Sequence, residues 1–321
     1  MTNLPNPENY IPKQYLVCYI DLLGIREKLF AGIDGHSSAI AKDKQNEINT
    51  TSLKINTLLN LAPAINEKFH DTIEYFWSFD QDQASQEDDK QKFINATKQL
   101  DFSVQQFSDS TLLYMELSND IEMYIPILIR FLCVSLSSWT ISCMSQGIMP
   151  RGAISIGTAW EIRKSCLFGP VISEVYNLES QVAQYPRFVV SYYLYEYLTR
   201  LFEEEKRKGT IEEYIISPLY LLQRDRDGIY ILSYLENIHQ YCLKNSSERA
   251  DQEKLIAEAY KYILSEYYIH AIRAKNDPQE AELAGRYERI IQYFLEYDEK
   301  FSYVCSELNR NITDKIELEE K

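Results

Sequence analysis

Two short stretches decide the fold, YLVCYIDLLGI at 15–25 and VQQFSDSTLLYM at 104–115. Each is an apolar run of the residue types that favour strands, and each carries one carboxylate where the pattern breaks, Asp21 in the first and Asp109 in the second. That position predicts a strand end or a hairpin tip, where a metal ion offsets the cost of burying the charge. An aspartate ending a strand also caps turns and helices, so the reading rests on the pair rather than on either residue alone. On neighbouring strands the two would hold a pair of divalent ions. Paired ions suit phosphoryl transfer, because one activates the attacking oxygen while the other neutralises the leaving phosphate.

The global numbers bound what surrounds this pair. A chain of 321 residues is long enough for a substantial core, as one elaborated domain or two modest ones. The formal charge of −15 argues against a general nucleic-acid surface and against docking on anionic membranes. Cys18, Cys133, Cys143, Cys166, Cys242 and Cys305 are scattered, mostly in apolar runs, without C-x-x-C or paired-histidine spacing. Buried free thiols in a reducing compartment are the expectation, and His36, His70, His239 and His270 have no metal-ligand spacing either. MTNLPNPENYIPKQY at the start is polar and proline-rich, unlike a secretory signal, so a cytoplasmic protein is expected. IEMYIPILIRFLCVSLSSWTISCM at 121–144 contains Pro126, Arg130 and several hydroxyls, which predicts a buried helix rather than a membrane span.

In chain order, residues 1–14 read as a tail and the first strand follows. Gly24 then sits where strand passes into helix, a junction whose amides can approach phosphate oxygens. Residues 39–70 are predicted helical on Ile48, Leu53, Ile55, Leu58, Leu59, Leu61 and Ile65, and SFDQDQASQEDDKQKF at 78–93 reads as a solvated loop within an insertion of about 78–100. PRGAISIG at 150–157 predicts a strand closed by Gly157, with Ala153 and Ser155 on one face and Ile154 and Ile156 on the other. FGPVISEVYNLESQVAQYPRFVVS at 168–191 predicts a Gly-Pro turn, a helix burying Val171, Val175, Leu178 and Val182, and a strand. A helix over 192–209 and two strands around Asp225-Arg226-Asp227-Gly228 complete a unit at 15–235. Residues 236–321 are predicted as a helical extension packed on it, broken at Pro278. The fold class is α+β, a sheet with helices packed on it.

The order of these motifs resembles the catalytic domain of class III nucleotide cyclases, over roughly residues 15–235. In that family the first strand ends in Asp followed two residues later by Gly; here Gly24 follows Asp21 by three. The second Asp follows a small residue in a hairpin, as in Ser108-Asp109, and a later strand carries Arg, an apolar residue and Gly, as in Arg151, Ile154 and Gly157. An aromatic-Gly turn, a Leu-Glu-Ser triplet, an Ala and a strand ending in Val-Ser match Phe168-Gly169, Leu178-Glu179-Ser180, Ala183 and Val190-Ser191. The resemblance implies a ferredoxin-like βαββαβ sheet and a homodimer with its sites between subunits. It also implies two Mg²⁺ or Mn²⁺ ions between Asp21, Asp109 and the backbone carbonyl of Leu22. These would bind a nucleoside triphosphate and activate its ribose 3′-hydroxyl to attack the α-phosphorus, giving a 3′,5′-cyclic nucleotide and pyrophosphate.

Three positions depart from the usual pattern. Gln105 stands where adenylate cyclases carry a purine-selecting Lys, and the family's ribose-orienting Asn and transition-state Arg fall on Ser173 and Asn177. These departures resemble the pyrimidine cyclases of the bacterial Pycsar anti-phage system, whose cyclic UMP or cyclic CMP activates a separate effector. A Gln amide can pair with uracil or cytosine by rotating, so it does not choose between UTP and CTP. Arg151 and Arg187 are the cations expected near the triphosphate or the base. A cyclase-like sensor without activity, favoured by the missing Asn and Arg, and a purine cyclase with an unusual pocket are the alternatives.

Overall fold

Strand β1 (Lys13–Leu22) runs through the interior of the sheet and organises the packing on both of its faces. The computed structural model describes residues 11–23, 56–57, 60–78, 101–107, 110–118, 125–163, 166–208, 221–242 and 246–301. Along β1, Leu16, Cys18, Ile20 and Leu22 enter the larger core while Tyr15, Val17 and Tyr19 enter a smaller one. A strand buried on both faces needs an apolar residue at nearly every position, which is why this stretch does not alternate with polar residues.

β1 pairs antiparallel with β3 (Ser110–Glu116) on one side and with β4 (Pro150–Arg163) on the other. β2 (Ser103–Gln106) pairs with β3, and β6 (Phe188–Val190) adds to β4 in parallel. β7 (Leu222–Arg224) and β8 (Tyr230–Leu232) form the hairpin around residues 225–228, giving the strand order β2-β3-β1-β4-β6-β8-β7. β5 (Cys166–Phe168) folds back on the outer half of β4. The molecule is therefore α+β, with one mixed sheet and its helices.

The larger core lies under helices. α1 (Leu61–Ser78) contributes Leu61, Ile65 and Phe69, and α2 (Ile125–Ser145) contributes a nearly continuous apolar surface. By length and composition the stretch Leu128–Ser145 could cross a membrane, yet 78% of it is buried inside the fold. Its polar residues are satisfied within the helix: Ser135, Ser137 and Thr140 donate to the carbonyls four residues back, at 2.8, 2.6 and 2.6 Å. α5 (Tyr234–Cys242), α6 (Ser246–Arg273) and α7 (Pro278–Phe301) add Leu235, Tyr260, Ile263 and Phe294 to the same cluster. The C-terminal helices thus share one continuous core with the sheet.

The smaller core is covered by α3 (Pro170–Asn177), through Val171 and Val175, and by the π-helical turn Leu178–Val182 that continues it. α4 (Tyr192–Lys208) starts at Ser191, whose Oγ accepts from the Leu194 amide at 3.0 Å. Ala153 and Ile154 face opposite cores, as the alternation requires. β4, however, does not stop at Gly157. Val171 lies over that glycine, where a Cβ would come within 3.1 Å of the Val171 Cβ, so Gly157 permits a helix to cross closely while the strand continues to Arg163. The expected helix at 39–70 is seen from Leu61 and runs on to Ser78; most of its earlier portion, and the acidic stretch at 79–93, lie outside the described residues.

Candidate functional site

Asp21 continues the Tyr15, Val17, Tyr19 series on β1, so it emerges on the thinly covered face, at the end of the strand. Its Cα partners are Ser110 on β3 and Arg151 on β4. Tyr19 Oη lies 2.6 Å from Ser110 Oγ, a buried hydrogen bond that ties the start of β3 to β1. Asp109, the residue before Ser110 in sequence, lies outside the described residues, as does Gly24. The chain nevertheless brings Ser110 opposite Asp21, so the two aspartate stretches meet at one end of the sheet.

Leu22 is buried and stands opposite Pro150, which has no amide proton to give to a neighbouring carbonyl. The next amide, that of Leu23, donates to Met149 O at 2.9 Å. The donor set here, a carboxylate and a main-chain carbonyl, is of the hard-oxygen kind that suits Mg²⁺ or Mn²⁺. Among the described residues no group of three or more His, Cys, Asp or Glu is arranged to hold a metal.

The surprise is the third charge at this end of the sheet. Arg151 Nε lies 3.0 Å and Nη2 2.9 Å from Asp21 Oδ2, and Nε also lies 2.7 Å from Glu179 Oε1. Arg151 Nη1 donates to Ala183 O at 3.4 Å. Exposure is graded across the group: the side chains of Arg151, Asp21 and Glu179 are 20%, 14% and 4% exposed. Glu179 belongs to the π-helical turn, a deviation from α-helix that recurs at functional positions.

Sequence reasoning used Glu179 only as part of a Leu-Glu-Ser match and gave it no role. Its signal was there: Glu179 lies four residues after Val175 and one after Leu178, on the stripe that packs against the sheet. A carboxylate on an apolar stripe calls for a nearby cation, and Arg151 lies within ion-pair distance of it.

The remaining candidates fall elsewhere. Arg187, expected near the triphosphate or the base, is 2% exposed and committed to protein partners. Its Nη1 lies 2.5 Å from Asp225 Oδ2 and 2.9 Å from Tyr185 Oη, and its Nη2 donates to Val182 O and Asp227 Oδ2, both at 2.7 Å. Tyr185 Oη donates to Asp225, and the guanidinium carbon stands 4.3 Å from the centre of the Tyr185 ring. Burial is the largest single influence on the Asp227 carboxyl and acts to raise it, but the hydrogen bonds from Arg187 and the Ile229 amide, with the charges of Arg187 and Arg289, together hold that group below its ordinary value. Arg187 therefore fastens the β7–β8 turn to the π-helical turn.

Gln105 on β2 accepts the Leu167 amide at 2.9 Å through Oε1, joining β2 to the β4–β5 arm. Ser173 and Asn177 are exposed on α3, with the helix between them and the sheet. Between these, Glu174 Oε2 lies 2.8 Å from Ser155 Oγ, which is itself 2.8 Å from Ser191 Oγ. Burial pushes the Glu174 carboxyl above its ordinary value, with the Ser155 hydrogen bond acting in the opposite direction. The structure thus brings together Asp21, Leu22 and Arg151, adds Glu179, sets Gln105 and Arg187 in other contacts and leaves Ser173 and Asn177 on the exposed side of α3.

Cys18, Cys133 and Cys143 are buried free thiols, and burial pushes the Cys133 thiol up to about 12, far from the reactive thiolate. In comparisons with protein-family models, with curated proteins and with solved structures, the chain matches none.

Proposed function

We propose that the chain is a nucleotide cyclase of the class III kind, converting UTP or CTP to the 3′,5′-cyclic nucleotide and pyrophosphate as a signal in anti-phage defence. The observation that carries this reading is the meeting of the two aspartate stretches. Asp21 ends the interior strand directly opposite Ser110, the residue that follows Asp109. The strand order β2-β3-β1-β4, with α1 between β1 and β2 in the chain, agrees with the ferredoxin-like βαββαβ arrangement of that family.

In this reading Asp21, Asp109 and the Leu22 carbonyl hold Mg²⁺ or Mn²⁺, which would supply charge neutralisation for the triphosphate and a lowered pKa for the ribose hydroxyl. Arg151 adds a guanidinium beside the same carboxylate and suits a phosphate oxygen. Gln105, with its oxygen accepting from Leu167, still carries two amide N–H donors, which fit O4 of uracil or N3 of cytosine. Ser173 and Asn177 lie on the exposed side of α3, accessible to a second copy of the chain rather than to their own Asp21. The exposed rings of Phe107 and Tyr176 flank Tyr19 on the same side of the sheet, which favours a homodimer there.

A second reading is favoured by one specific observation. The Asp21 carboxylate already has a cation in Arg151, which suits a cyclase-like module that binds nucleotides without turning them over. Incubation with Mn²⁺ and each of the four nucleoside triphosphates, with products resolved by mass, separates the readings. Cyclic UMP or cyclic CMP supports the pyrimidine cyclase. Triphosphate binding with no cyclic product supports the silent module, and cyclic AMP or cyclic GMP as the main product supports a purine enzyme.

A further inference from the structure

Between the β7–β8 turn and α7 the fold leaves a cavity of about 310 Å³, bordered by Tyr185 and sharing no lining residue with the group of Asp21, Arg151 and Glu179. Its size falls at the lower end of the range for small-molecule sites, about 300–1,000 Å³. Three arginines and three carboxylates line it, and its chemistry depends on which of their atoms are already engaged.

The acceptors are engaged. Asp225 takes the Arg226 amide on Oδ1 at 2.7 Å, and Tyr185 and Arg187 on Oδ2. Asp227 takes the Ile229 amide on Oδ1 at 3.2 Å and Arg187 on Oδ2 at 2.7 Å. Glu296 Oε1 accepts from the Arg226 guanidinium, Gln292 Oε1 accepts from Arg226 Nη1 at 2.5 Å, and Gln223 Oε1 accepts from the Ser233 hydroxyl at 3.1 Å. The donors are left over. Arg289 is exposed, its guanidinium stands 5.4 Å from the centre of the Tyr185 ring, and it makes no hydrogen bond or ion pair among the described residues. Arg224 donates through Nε to Gly228 O at 3.0 Å and keeps its Nη groups, and the amides of Gln223 and Gln292 keep their N–H groups. Arg187, outside the lining, already offsets Asp225 and Asp227, and Arg226 offsets Glu296. Arg224 and Arg289 therefore have no carboxylate of their own among the described residues, a local excess of positive charge in a chain of formal charge −15.

We propose that this cavity binds a small anionic metabolite through a phosphate or carboxylate group, with Arg289 as the principal contact and Arg224, Gln223 and Gln292 as further donors. A planar guanidinium presents parallel N–H groups to either kind of oxyanion, and such a ligand supplies the acceptors that the cavity lacks. The walls come from the terminal hairpin of the sheet and from α7, so the bound anion bridges the two, alongside the existing link from Arg226 to Glu296. The proposal is independent of the cyclase reading.

The test measures binding of inorganic phosphate and of succinate to the whole chain by titration calorimetry at fixed ionic strength, without nucleotide or divalent metal. A dissociation constant of about 1 mM or below is expected for at least one of them. Binding of phosphate alone supports a phosphate ester as the ligand, and binding of succinate alone supports a carboxylate. Binding of both supports the shared oxyanion chemistry. Arg289→Ala should weaken binding about tenfold or more, and Arg289→Lys should restore only part of it. Arg286→Ala, which removes a charge from the same helix outside the cavity, should leave binding unchanged. Failure of both anions to bind at up to about 20 mM overturns the proposal. Equal losses in Arg289→Ala and Arg286→Ala mark a general charge effect and also overturn it. Loss in Arg151→Gln with Arg289→Ala unchanged moves the anion to the Asp21 end of the sheet and overturns it as well, while leaving the cyclase reading standing.

Discussion

Arg187 and Asp225 meet at 2.5 Å beneath the β7–β8 hairpin, with the guanidinium almost completely removed from solvent. Arg187 is also the link from that hairpin to the carbonyl of Val182. Replacing it with Met leaves the largely buried Asp225 carboxylate without its guanidinium, so Arg187→Met should cost about 3 kcal/mol in denaturant unfolding. Arg187→Lys should recover little of this, because one ammonium cannot reproduce the planar fork that reaches Asp225, Asp227 and Val182 together.

The contact between Gln105 and the Leu167 amide makes a separate prediction for the β4–β5 arm. Gln105→Leu removes one hydrogen bond at a half-buried position, about 1 kcal/mol. Amide exchange at Leu167 should accelerate while exchange in the middle of β1 stays unchanged. Gln105→Glu keeps the acceptor and should leave Leu167 protected.

Gly152 has no room for a side chain. A Cβ there would lie 2.3 Å from Tyr19 O and 2.7 Å from the Phe188 ring, so the backbone of β1 itself would have to shift. Gly152→Ala should therefore destabilise the fold by about 2 kcal/mol or more, although the substitution adds one methyl group. Gly285→Ala is the control, since a Cβ there meets nothing within 4 Å and alanine favours the helix.

Glu174 gives the fold a pH dependence of known sign. Its carboxyl is raised in the folded state by burial, so folding favours the protonated form. The associated stability is fully present below the ordinary carboxylate pKa and is lost as pH rises through the elevated one. Glu174→Gln cannot ionise and keeps an oxygen for Ser155. Its melting temperature should exceed that of the parent chain near pH 7, and the difference should shrink to nothing near pH 4.

The strands and helices were legible because burial on both faces of β1 and the helical stripes of α2 and α3 leave strong apolar patterns. The ends of elements were less so. Gly157 resembles a strand terminator in sequence, and only the crossing of Val171 explains why β4 passes through it. At the site, Asp21 was found from its break in an apolar run. Arg151 was expected beside a phosphate rather than beside Asp21, and Glu179 had no assigned role, because pairing across 28 positions leaves no local pattern. Arg187 misled for a related reason: an arginine just before a short strand looks exposed until the two acidic residues of a distant turn are folded over it.

In the proposed function, Asp21 and Asp109 together support cyclisation of a pyrimidine nucleotide. The most direct measurement is cyclic-nucleotide formation from UTP and CTP with Mn²⁺, comparing the parent chain with Asp21→Asn and Asp109→Asn under one set of conditions. Cyclic UMP or cyclic CMP is expected from the parent chain, with a loss of at least about 100-fold in each variant. A parent chain that makes no cyclic pyrimidine nucleotide, or variants as active as the parent, would contradict it.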